Sequence, residues 1–222
     1  MSDLLPLFPL GTVLYPGMIL PLHIFEDRYR QLVRDLLDGP EPRQFGVIAI
    51  REGRETDIDG VTSLYDIGCI AELRDAEEHE DGRYSVVTVG TQRFRLRQLD
   101  HTAAYFRGEI EPLAEVIPDL AAAVLAAQAA KAGFRVYLDA LVQQGGATVR
   151  IEEIPDEPVL LSYLIAAAMI VDLPDHQQLL AAPDATSRLT AERALLLRET
   201  GMLRETASRP APDLRYAPHN PN

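Results

Sequence analysis

The feature that most constrains this chain is a change of hydrophobic period near Pro118. Before it, short runs rich in Val, Ile, Phe and Tyr alternate with turns that carry Gly and Pro; after it, alanine- and leucine-rich segments repeat at helical spacing. Period 2 sends successive side chains to opposite faces of a strand, whereas period 3.6 gathers them on one face of a helix. Strands first and helices afterwards, instead of strict alternation, argue against a doubly wound parallel sheet. The expected class is therefore α+β, with residues 1–118 forming an N-terminal antiparallel pseudo-β-barrel with one helix. Residues 119–205 are expected to form a C-terminal helical bundle. Residues 206–222, with Pro210, Pro212, Pro218 and Pro221 among polar neighbours, cannot bury enough apolar surface to fold alone, so a flexible tail is expected there.

Within the first part, Leu4–Leu10 with Val13–Leu14 is broken by Pro6 and Pro9. Proline donates no ladder hydrogen bond, which predicts an edge strand followed by a tight turn at Pro16-Gly17. Ile24–Leu37 switches to helical spacing and stops at Gly39-Pro40, and Arg51–Gly60 reads as a charged loop. Further strands are predicted at 45–50, 64–73, 84–89, 93–99 and 105–111, with a bulge at Gly68. Six strands and one helix in this span suggest closure, which hides edges that would otherwise invite aggregation. In the second part, Asp119 caps a helix that Gly145-Gly146 ends. Asp156 caps a second, mostly apolar helix through Met169, and two more follow at 175–181 and 185–204, the last turning Leu189, Leu195, Leu196 and Met202 inward.

Charge and motifs remove several function classes. The chain carries 34 acids against 21 bases, of which Lys131 is the only lysine, so the net charge is -13. Residues 1–118 hold 21 acids and 12 bases, the more acidic part, and polyanion binding needs the opposite sign. No nucleic-acid partner is expected, and a charge-steered client should be basic and meet the barrel first. Cys69 is the only cysteine, which excludes an internal disulfide and fits a reducing, cytoplasmic setting. The longest strongly apolar run, Val159–Val171, is too short for a membrane span, and no signal-peptide pattern opens the chain. There is no P-loop, no G-x-S-x-G elbow and no H-E-x-x-H. A Ser–Lys dyad would have to use Lys131, whose alanine neighbours mark an ordinary helix.

The remaining chemistry-bearing groups each have a plain structural reading. The five histidines are scattered without ligand spacing, and the acidic hairpin Glu77–Gly82 lacks the regularity of a calcium loop. Arg93, Arg95 and Arg97 alternate on one strand, where a hairpin with 105–111 at a residue sum of about 204 would place Arg93 opposite Glu111 and Arg95 opposite Glu109. Cys69 reads as a buried structural thiol. No catalytic, metal or cofactor residue is assigned.

Ordered motifs then suggest a family. Leu5-Pro6-Leu7-Phe8-Pro9-Leu10, Tyr15-Pro16-Gly17-Met18 and Leu20-Pro21-Leu22-His23-Ile24-Phe25-Glu26 resemble the opening of the Lon protease N-terminal (substrate-binding) domain. Phe45-Gly46-Val47-Ile48-Ala49, Asp66-Ile67-Gly68-Cys69-Ile70-Ala71 and Val89-Gly90-Thr91-Gln92-Arg93-Phe94 follow in the same order, and Leu173-Pro174 and Leu179–Leu189 are similar to its helical part. The resemblance implies a PUA-like pseudo-barrel with a helical bundle, and a role in recognising proteins or peptides. The chain ends before the ATPase and Ser–Lys peptidase modules that follow this domain in Lon proteases. The expectation is thus a stand-alone, non-catalytic, cytoplasmic binding module for unfolded or exposed apolar segments, an adaptor for a protease or chaperone. Binding is expected in a groove between barrel and bundle or at the start of the first helix, with Phe25, Arg28 and Tyr29 as an aromatic–Arg anchor set. The alternatives are a hydrolase using cleft carboxylates and a structural or regulatory homo-oligomer.

Overall fold

A computed structural model of the chain describes residues 4–53, 61–143 and 153–207. Six strands, β1 (Leu5–Leu10), β2 (Ile19–Ile24), β3 (Gln44–Gly53), β4 (Val61–Glu78), β5 (Tyr84–Asp100) and β6 (Arg107–Pro112), precede a helical part, with α1 (Asp27–Asp38) inserted after β2. The helical part comprises α2 (Leu120–Gln143), α3 (Pro158–Ala168), α4 (Leu173–Ala181) and α5 (Ala185–Ala207). The Gly145-Gly146 stop, most of the 51–60 loop and nearly all of the proline-rich tail lie outside the described residues.

The α+β class is as expected. Strands bond in the order β2-β5-β4-β3-β1-β6, and β6 returns to β5. β5 can close the ring because it is long. Its first half, Tyr84–Val89, takes β2, and its second half, Phe94–Asp100, takes β6. Sequence reading splits β5 into two strands at Gly90 and misses β2, so its count of six arises from different members. The break is only apparent, since a side chain at Gly90 would come within 2.3 Å of the Tyr15 carbonyl oxygen. Glycine lets the Tyr15–Met18 turn sit against β5, where Gly17 N–H donates to the Gly90 carbonyl and Gly90 N–H to the Met18 carbonyl.

β1 is not an edge strand. It runs parallel to β3 through Leu7–Leu10 and antiparallel to β6 through Leu5–Pro6. The prolines survive there because each half of β1 is paired on one side. Leu7 N–H donates across to Phe106, so by alternation the Pro9 nitrogen also faces the β6 side, beyond the end of the β6 register. The Pro6 nitrogen faces the β3 side, before that register begins. Gly68 pairs with Ile48 and Phe94, and the expected irregularity starts beside it: the β3–β4 register shifts between Gly68 and Leu64, the partners of Ile48 and Ile50, while the β4–β5 ladder shifts at Ile70/Ala71 and Leu73/Asp75. A side chain at Gly68 would collide with the Phe94 ring at 2.5 Å.

Alternation builds two apolar layers from the same strands. Leu7, Ile48, Ile70, Phe94 and Phe106 form one cluster, and Phe8, Val47, Cys69 and Ala71, on the other face, pack beneath Tyr29, Leu32, Val33 and Leu36 of α1. That double burial explains the unbroken apolar run of β3. A third cluster joins Phe134 and Tyr137 of α2, Leu161 and Ile165 of α3 and Leu189 and Leu196 of α5 to Tyr15 and Ile67 of the sheet part. Asp119 caps α2 as expected, its carboxylate accepting from Ala122 N–H at 3.0 Å. α3 is capped by Glu157, which accepts from Val159 and Leu160; Asp156 instead pairs with Lys131 at 2.6 Å. On α5, Leu189 and Leu196 are buried and Leu195 partly so, but Met202 is exposed. Among the described residues no helix is long and apolar enough to cross a membrane.

Candidate functional site

The seam between barrel and bundle holds the densest polar chemistry of the molecule. Arg93 leaves β5 and is almost fully buried. It donates to the carbonyls of Leu180 (2.8 Å) and Ala182 (2.6 Å), at the end of α4, and pairs with Glu115 at 3.0 Å. Arg188 of α5, wholly buried, donates to the Leu179 carbonyl (3.1 Å) and Ser162 Oγ (2.7 Å), and pairs with the same Glu115 at 3.1 Å. Its guanidinium lies 4.1 Å from the Tyr163 ring centroid, and the Tyr163 hydroxyl donates to Glu115. One carboxylate on the β6–α2 connection thus ties β5, α3 and α5 together. Removing one member of such a buried set leaves the rest uncompensated, at a cost of about 3–5 kcal/mol.

A second polar layer lies beside it. Tyr15 donates to the His176 carbonyl at 2.9 Å and lies 3.1 Å from its Nδ1, while Gln177 donates to the Ile67 carbonyl at 2.8 Å. Glu192 is 0% exposed, and neither carboxyl oxygen has a hydrogen-bond partner among the described residues. Burial raises its pKa well above the usual carboxylate range, only partly opposed by the Arg188 charge. Burial and the Glu192 charge likewise push the Tyr15 hydroxyl up. These groups cement the two parts.

Over this locked seam opens a groove of about 600 Å³. Its walls include Ile70 and Thr91 of the barrel, Leu113 of the connection, and Val159, Leu160 and Tyr163 of α3; Gln44 and Glu72 lie along one side. Leu160 is 56% exposed although it belongs to the most apolar helix. Apolar walls with a few fixed polar groups, at this volume, are the general make-up of a ligand-binding cleft.

The three anchor residues separate. Phe25 precedes α1, is 59% exposed and walls two smaller pockets. Tyr29 is buried, its ring stacked on Phe8 at 4.0 Å. Arg28 is also buried, against Glu26 at 2.7 Å and over the Tyr29 ring. Of the set, only Phe25 presents its side chain to solvent. Beside it the β2–β5 register sets His23 opposite Ser85, and Ser85 Oγ lies 3.2 Å from His23 Nδ1 and 2.8 Å from His79 Nε2. Sequence spacing does not reveal this cluster, because strand pairing across 62 residues creates it. Among the described residues no group of three or more ligating side chains could hold a metal ion.

Other sequence expectations resolve as follows. The β5–β6 register is shifted by two from the residue sum of 204: Arg95 stands opposite Glu111, and Glu109 opposes Gln98 across a bulge. Arg97, not Arg93, pairs with Glu111, while Arg93 is drawn into the seam. That destination leaves no local signal, since its partners lie 87 and 89 residues away. Lys131 donates to the Ile154 carbonyl at 2.7 Å and to Asp156, fastening the approach to α3. Cys69 is fully buried, and desolvation raises its thiol pKa to about 12.

Comparison with known proteins agrees with this architecture. The family model described as the ATP-dependent protease La (LON) substrate-binding domain matches residues 4–198. A Lon protease of Anaeromyxobacter dehalogenans is 27% identical over 203 residues, covering 90% of this chain and 24% of that protein. A second, Lon protease 2 of Sorangium cellulosum, is 30% identical over 210 residues, covering 91% and 26%. The chain thus spans about a quarter of the length of the curated relatives it matches. Among solved structures, a Lon N-terminal domain protein from Xanthomonas campestris superposes with a TM-score of 0.60 at 25% identity, over 86% of this chain and 98% of that one. The N-terminal domain of the Mycobacterium avium complex Lon protease shares the fold, with a TM-score of 0.64 at 19% identity over 90% and 98%. With residues 4–198 matched by one family model, this chain belongs to the Lon substrate-binding domain family.

Proposed function

We propose that this chain is a non-catalytic recognition module that holds unfolded or exposed apolar polypeptide segments and acts as an adaptor delivering them to a protease or chaperone. The observation that carries the reading is the groove at the seam, where exposed Leu160 overhangs a floor fixed by Glu115, Arg93 and Arg188. A rigid floor lowers the ordering cost of binding, and an apolar wall rewards any client side chain that leaves water. Phe25, exposed after the end of β2, is a second contact. The net charge of -13 favours clients with basic residues flanking the apolar stretch.

The test is fluorescence anisotropy with a labelled, reduced and carboxymethylated protein that cannot refold. Saturable binding with a Kd on the order of 1–100 μM is expected, weakened roughly tenfold by Leu160→Asp and several-fold by Phe25→Ala. No saturable binding at ~1 mM, or binding indifferent to both substitutions, overturns the reading. The adaptor step is checked separately by asking whether the protein speeds degradation of that client by a purified host protease.

A further inference from the structure

We propose that two copies of this chain associate side by side, α2 against α2, in antiparallel register about a twofold axis midway between Ala129 and Ala132. The argument begins with what α2 leaves in solvent. Its exposed residues include only two charges, Arg135 and Asp139, of opposite sign, on a chain that is one-quarter charged with a large acidic excess. Leu125, Ala129, Ala132 and Val136, all exposed, fall within a narrow stripe at spacings of four, three and four. Leu125 is 67% exposed.

That stripe reads large–small–small–large in either direction. A twofold contact requires such symmetry, because whatever residue i does to residue j, residue j must do to i. In antiparallel register about the midpoint, Leu125 of one copy meets Val136 of the other, and Ala129 meets Ala132. Alanines at the crossing let the two helix axes approach to the short end of about 8–10 Å, while the flanking Leu and Val fill the space on either side. A partner of a different kind has no need of this palindrome.

The area is adequate. α5 runs beside α2, with Leu196 packed over Gly133, and its exposed residues include Leu197, 64% exposed, along with Arg193 and Arg198. A face one 24-residue helix long is about 36 Å, and two helices across is about 20 Å, or on the order of 700 Å² per copy. That approaches the ~800 Å² per partner of an ordinary stable interface. Like charge on the two copies opposes the association, so added salt should strengthen it.

Analytical ultracentrifugation of the full chain tests this directly. The expected result is a shift from 24.6 kDa toward twice that mass with a Kd on the order of 1–100 μM, tighter in ~0.5 M salt. Leu125→Asp and Ala129→Glu, both on the surface, should return the protein to monomer, with the melting temperature that the unsubstituted chain shows below its dimer Kd. Register is read by oxidising an equal mixture of Ala129→Cys and Ala132→Cys chains, in which the mixed dimer should exceed either self-linked dimer at least fivefold. A monomer at all concentrations to ~0.5 mM, a dimer that survives both charge substitutions, or cross-links without preference for the mixed pair overturns the proposal. Client binding by the Leu125→Asp monomer reports on the recognition reading separately, since the groove lies outside this face.

Discussion

Two arginines on β5 show how differently one residue type behaves in two regions of this molecule. Arg93 enters the seam, loses nearly all contact with water, and is held by two backbone carbonyls and a carboxylate shared with Arg188. Arg97, four residues further along the same strand, meets Glu111 on the outer ladder, where both side chains are about half exposed. Both would be counted as salt bridges. The difference is solvent: water screens the outer pair and would solvate either partner left alone, whereas the seam has no water to replace a missing partner. Fixed polar groups therefore set the geometry of the barrel–bundle joint, and the outer ladder contributes little to it.

The sharpest way to break this contrast is Glu115→Ala, which strands two buried guanidiniums. It should destabilise by about 3–5 kcal/mol in urea unfolding; a loss below about 1 kcal/mol would show that the seam is wetter than its geometry implies. Glu192 gives an effect of opposite sign. Its folded pKa is raised, so the folded state holds that proton more tightly than the unfolded chain does. Its contribution to stability is complete below the unfolded value of about 4.3 and is lost as pH rises from there toward the raised folded value. Glu192→Leu should therefore stabilise at neutral pH by about 1–3 kcal/mol and flatten this part of the pH profile. A destabilised variant would mean that the carboxyl is satisfied after all. Tyr15→Phe, which deletes the link to His176 and keeps the ring, should cost about 0.5–1.5 kcal/mol by thermal unfolding. Arg97→Ala completes the comparison with the smallest effect, within about 0.5 kcal/mol and shrinking further in salt. If Arg97→Ala costs as much as Glu115→Ala, burial is not what separates the two arginines.

What the sequence reveals follows the range of the interactions. α1 is legible because its buried Tyr29, Leu32, Val33 and Leu36 and its polar outer positions obey one local period. The Asp119 cap and the buried α3 are legible for the same reason. β2 is hidden because its short Ile19–Ile24 run carries Pro21 and shows itself as a strand only with β5 beside it, and β5 appears broken because Gly90 looks like punctuation when it is a clearance for Tyr15. The seam is invisible from spacing alone. Glu115, Arg93 and Arg188 belong to segments 22 and 73 residues from the shared carboxylate, and only the packed bundle makes them neighbours. Phe25, Arg28 and Tyr29 illustrate the same limit at short range, since helical spacing groups them but does not say that only the first faces water.

The placement of β1 carries a consequence for synthesis. This strand needs β3 on one flank and β6 on the other, and Leu5 finds Gly108 only after a further hundred residues have been made. At about 5–20 residues per second, roughly 5–20 s pass in which the apolar Leu5–Leu10 segment waits with one flank uncovered. Pro9, whose nitrogen faces that flank, denies a passing strand one of the backbone donors it would pair with. A residue that looks poorly suited to an inner strand therefore protects the nascent chain until the ring can close.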